Sequence, residues 1–116
     1  MDAPIVTPFE LQSDQTILFK SGSGFISRFC FRVSEAAVVR INTWRQSGDS
    51  HPKLFLAIDD TLVSPKNHLL KSTKNKENSI LVYPEDLKFK TGLWYIAIEA
   101  HNTTGEHIFG VKVLLQ

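Results

Sequence analysis

The chain lacks most of what would declare a reaction. It has one cysteine, Cys30, so an internal disulfide is excluded. No G-x-S-x-G elbow, P-loop or dinucleotide fingerprint occurs, and the glycine-rich "SGSG" at 21–24 joins two apolar runs and precedes no helix. No window approaches the roughly 18 consecutive apolar residues a membrane-spanning helix requires. The opening "MDAPIVTPFELQSDQT" has neither a basic region nor a long apolar run, so no signal peptide is read there. The expectation is an intracellular protein or an excised domain of a larger one, and the compartment stays open. Excess charge is absent too: 13 Lys/Arg face 12 Asp/Glu, a net charge of +1, which speaks against nucleic acid as a partner.

Helical periodicity is also missing. What is present alternates. In "FISRFCFRV" (25–33), Phe25, Phe29, Phe31 and Val33 share one side, while Ile26, Arg28, Cys30 and Arg32 share the other. Two arginines resist burial, so the phenylalanine side faces the core. "AAVVRINTW" sets Ala37, Val39, Ile41 and Thr43 against Val38, Arg40, Asn42 and Trp44. "KLFLAID" sets Leu54, Leu56 and Ile58 against Phe55, Ala57 and Asp59, and "SILVYP" is a short strand stopped by Pro84. "GLWYIAIEAHNTTGEHIFGVKVLL" (92–115) reads as a closing hairpin, with Trp94, Ile96 and Ile98 on one face and Tyr95, Ala97 and Glu99 on the other. "PIVTPFEL" and "TILFK" add edge strands, since Pro4 and Pro8 suit an edge. The segment 62–72 is a strand, a helical turn or an irregular crossing.

Turn-forming clusters separate these runs at short intervals, among them "SGDSHP" (47–52), "TKNKEN" (73–78) and "NTTG" (102–105). Eight or nine short strands without helices predict an all-β fold, an antiparallel sandwich or jelly roll, in one domain spanning 1–116. Hydrophobic residues at 42% and charged ones at 22% are enough for a packed core at this length.

Five segments, "FCFRV" (29–33), "SGD" (47–49), "KLFLAID" (53–59), "TGLWYIAIEA" (91–100) and "IFGVKVLL" (108–115), follow one another in a characteristic order. In that order the chain resembles the bacterial pre-peptidase C-terminal domains and the collagen-binding domains of clostridial collagenases over roughly residues 16 to 115. It is more weakly similar to calpain-type C2-like domains. The resemblance implies a non-catalytic β-sandwich attached to, or acting beside, another protein. Some relatives bind calcium near the first strand. Here that region offers only Asp2, Glu10 and Asp14, and "SHPK" follows Asp49 where a second acid is expected.

Residues that would carry a function fall into four groups. Arg40, Asn42 and Trp44 share the outward side of one strand, where an indole beside polar groups stacks on a sugar ring or anchors a protein. The alternative is that Trp44 caps the rim of the core. Lys71, Lys74 and Lys76 stud a polar loop that is a docking patch or a solvated run. Asp59 and Asp60 hold calcium with a third donor or merely shape a turn. His101 and His107 flank the 102–105 turn as a transition-metal pair or as solvated side chains, and no third ligand is evident. Cys30 has no activating base near it in sequence. Asn102-Thr103-Thr104 is a glycosylation sequon that matters only in a secreted eukaryotic protein.

The expectation is thus a non-enzyme without cofactor, a binding or interaction module with a protein partner or, failing that, a carbohydrate. The alternative from another class is a calcium-responsive C2-like domain that docks on a membrane or protein.

Overall fold

The computed structural model describes residues 8–22, 26–48, 52–59, 62–72, 77–100 and 106–116. The nine strands among them are β1 (Phe9–Glu10), β2 (Thr16–Gly22), β3 (Ile26–Val33), β4 (Val39–Ser47), β5 (Pro52–Ile58), β6 (Leu70–Lys71), β7 (Glu77–Val82), β8 (Gly92–Ala100) and β9 (Glu106–Leu115). They form a five-stranded sheet in the order β1-β3-β8-β5-β6 and a four-stranded sheet in the order β2-β9-β4-β7. All pairings are antiparallel except β1 on β3. No helix among the described residues is long and apolar enough to cross a membrane. The fold class is therefore the all-β sandwich that alternation predicts.

The alternating residues fill the space between the sheets. Phe29, Phe31 and Val33 of β3, Trp94, Ile96 and Ile98 of β8, and Leu54 and Leu56 of β5 come from one side. Val39 and Ile41 of β4, Ile80 and Val82 of β7, and Phe109, Val111 and Val113 of β9 come from the other. An edge-on contact ties the layers, Phe19 to Phe29 at 4.9 Å between ring centroids, and Phe19 also meets Phe109 of its own sheet at 5.9 Å. Trp94 is fully buried, and its indole N–H donates to the Lys90 carbonyl at 2.7 Å, so its one polar atom is satisfied.

Two expectations need correction. The run 92–115 is not a hairpin, because β8 lies in the five-stranded sheet and β9 in the four-stranded one. The chain changes sheet between Ala100 and Glu106, and β9 pairs with β2 and β4 instead. Ser21 and Gly22 are not a turn. They end β2, in register with His107 and Glu106. β5 has no solvent side over most of its length, as Leu54, Phe55, Leu56 and Ala57 are all buried.

What covers the second side of β5 is the segment 62–69. It closes on itself through paired backbone hydrogen bonds between Ser64 and Asn67, and Leu69 N–H donates to the Leu56 carbonyl at 2.7 Å. Val63, 0% exposed, plugs into Phe55, Ala57 and Ala97, with Ile26 and Tyr95 against them. The Arg28 Nε–H donates to the Val63 carbonyl at 3.2 Å, and the His68 ring lies 5.1 Å from that of Phe55. The outward face of the five-stranded sheet thus carries a roof made by its own chain. Of the three readings of 62–72, the structure gives an irregular crossing that ends in the two-residue strand β6.

Candidate functional site

The four-stranded sheet has no such roof among the described residues. Its inward positions alternate with an outward row on each strand, fixed by register. Arg40 lies opposite Leu114 on β9 and Leu81 on β7. Asn42 lies opposite Lys112 and Ser79, and Lys112 in turn opposite Thr16 of β2. Trp44 lies opposite Gly110, and Gly110 opposite Leu18. Lys20 lies opposite Ile108 further along the same row. Leu18 is 55% exposed and Leu81 42%, so apolar surface remains in water on both flanks of this face.

Trp44 and Gly110 organise the centre. A Cβ on Gly110 would overlap Cε2, Cζ2 and Nε1 of the indole, so the ring lies across the β9 backbone at the one position without a side chain. The indole N–H donates to the Gln46 carboxamide at 3.2 Å. From the inward side, the Thr43 hydroxyl donates to the Gly110 carbonyl at 2.7 Å, which satisfies a buried hydroxyl. Gly110 is therefore held from both faces of the sheet. At the far end, Lys112 pairs with Asp14 at 3.0 Å, while Arg40 is exposed and makes no ion pair among the described residues.

The structure brings Arg40, Asn42 and Trp44 together on this face. Lys71 stands apart on β6, in the other sheet, and Lys74 and Lys76 lie outside the described residues. Asp59 ends β5 in a left-handed conformation (φ 58°), exposed, with its N–H donated to the Leu93 carbonyl at 2.9 Å. Asp60 lies outside the described residues, as do His51, His101, Phe25, Asp49 and the sequon. No three His, Cys, Asp or Glu side chains converge among the described residues. His107 is buried on the inward side, its ring stacked 6.2 Å from Phe109, and His68 belongs to the roof. Beside His68 an open recess of about 220 Å³ is lined by Ala57, Ile58, Asn67 and Leu69.

Sequence reasoning missed Leu18, Leu81, Leu114 and Gly110. The glycine carried a usable signal, since a lone Gly inside the alternating "IFGVKV" marks a close approach of something to the backbone. Cys30 faces outward from β3, half-buried, its thiol 3.9 Å from the Pro8 carbonyl. Burial pushes that thiol's pKa up and Glu10 adds to the rise, while Arg32 opposes them.

No family model and no curated protein matches the chain. Solved structures do. The pre-peptidase C-terminal domain of a collagenase from Bacillus anthracis superposes with a TM-score of 0.72 at 14% identity, covering 97% of this chain and 99% of that one. PliG of Aeromonas hydrophila, a periplasmic lysozyme inhibitor of g-type lysozyme, gives 0.67 at 7% identity, covering 95% and 96%. At such identities the likeness is one of architecture, and the chain shares the β-sandwich fold of the pre-peptidase C-terminal domain.

Proposed function

We propose that this protein is a non-catalytic binding module that engages a protein partner through the outward face of its four-stranded sheet. The contrast between the two outer faces carries the reading. One is sealed by residues 62–69, with Val63 buried to 0% exposure. The other keeps Leu18, Leu81 and the Trp44 indole accessible beside an exposed Arg40. Half-buried Trp and exposed Arg next to aliphatic side chains are the residue types that dominate protein interfaces. The two solved structures named above are non-catalytic β-domains, and one of them is an inhibitor of another protein.

A g-type lysozyme is a direct first probe, measured by calorimetry and by inhibition of lysis. The general test places a photo-crosslinking side chain at position 18 or, as a control in the other sheet, at Lys53. Discrete adducts at 18 that disappear with Trp44→Ala support the reading. Adducts at 53 alone would overturn it. A saccharide is the second reading, favoured by a half-buried indole beside Arg40 and Asn42 on this face. Binding of a glycan array, lost with Trp44→Ala, would select it.

A further inference from the structure

A sandwich of two open sheets has four edges, and three of these are guarded. In the five-stranded sheet the outer strands β1 and β6 are two residues long, and Pro8 directly precedes β1. In the four-stranded sheet β2 carries the exposed Lys20. Short strands, prolines and lysines are the devices by which sheet edges avoid pairing with another chain. The fourth edge, β7, has none of them. It is six residues long, pairs with β4 on one side, and reads "ENSILV", without charge or proline from Asn78 to Val82.

Apolar exposure also continues from this strand into the turn that follows it. Leu81 is 42% exposed, Tyr83 just beyond the strand 52%, and Leu87 on the following turn 99%. These are three of the seven large hydrophobic side chains exposed among the described residues, and all three fall within seven positions.

We infer that β7 is a homodimer edge, pairing antiparallel with β7 of a second copy of this chain to join two four-stranded sheets into one of eight strands. A two-fold axis at Ile80 sets Ile80 against its counterpart and Leu81 opposite Ser79 of the second copy, a large side chain beside a small one. The inward side chains, Ile80 and Val82, carry the apolar layer across the junction. The uncharged stretch 78–82 lets two identical edges approach without like-charge repulsion. A second copy fits better than open-ended assembly, because the two-fold pairing closes on itself. Joining β7 to β2 of the next molecule would propagate without limit and would meet Lys20.

Sedimentation equilibrium from micromolar to about 1 mM tests this, with two double variants at the exposed positions 79 and 81. The wild-type mass should rise with concentration from 13.1 kDa toward twice that value. S79K/L81K sets lysine against lysine across the axis and should stay monomeric. S79E/L81K sets lysine against glutamate in the same places and should dimerise again. Circular dichroism confirms that both variants fold. Should either fail, amide exchange of residues 78–82 in the wild type should slow as concentration rises. A wild type that stays at 13.1 kDa throughout, two variants that behave alike, or exchange independent of concentration would overturn the inference.

Discussion

The indole of Trp44 rests on the backbone of Gly110, one residue along β4 from the hydroxyl of Thr43, which bonds the same glycine from the opposite face of the sheet. One strand thereby grips its neighbour from above and below, and the glycine is a condition of the indole's place there. Gly110→Ala should displace Trp44 into water. Overpacking of this kind costs about 1–3 kcal/mol. A lower melting temperature, with increased acrylamide quenching of one tryptophan and not of buried Trp94, is the expected readout.

The roof over the five-stranded sheet separates two adjacent residues. Val63 is fully buried and Leu62 is 73% exposed. Val63→Ala should cost about 2 kcal/mol through the cavity it leaves among Phe55, Ala57 and Ala97. Leu62→Ala should stay within about 0.5 kcal/mol. Urea titration of both variants measures the difference.

The two tryptophans differ in the same way, although either would be a natural target for testing ligand stacking. Trp94→Ala removes a fully buried ring that contacts Phe31 and Phe89 and leaves the Lys90 carbonyl without its donor. The expected cost is about 3–5 kcal/mol. Trp44→Ala should keep the cooperative melt. Calorimetry should therefore find Trp44→Ala usable in binding experiments and Trp94→Ala close to unfolding.

Cys30 gives a pH signature. Its thiol pKa is raised by burial and by Glu10, and lowered by Arg32. Alkylation by iodoacetamide should therefore need a higher pH than for a free thiol. Glu10→Gln should move the rate profile to lower pH and Arg32→Gln to higher. The sign for stability follows from linkage. A thiol whose pKa is higher in the folded than in the unfolded protein contributes fully below the ordinary thiol range. That contribution is lost as pH rises through the raised value. Cys30→Ser should flatten the alkaline side of the stability profile.

Alternation made the strands legible, and with them the core. Phe29, Phe31, Trp94 and Ile96 lie where the period of two places them. The same logic placed Arg40, Asn42 and Trp44 on a common outward side. Pairing was much less legible, because alternation says which side of a strand is apolar and nothing of which sheet the strand joins. Hence β8 and β9 read as a hairpin although they belong to different layers. In β5 the run "LFLAI" already carried the mark of a strand covered on both sides, apolar without interruption. Its cover could not be read, since residues 62–69 have no period and are held by Arg28, more than thirty positions earlier in the chain.

The change of sheet between β8 and β9 also bears on how the molecule is made. Residues 106–115 form a strand that sits between β2 and β4, the partners that would otherwise have no common neighbour. During synthesis the four-stranded layer therefore stays unzipped, with Leu18, Phe19 and Ile41 waiting, until Leu115 has left the ribosome. Closing it then joins positions some ninety residues apart, a non-local step that is slow and open to aggregation while it waits. This domain is thus at its most vulnerable while its last strand is still to come.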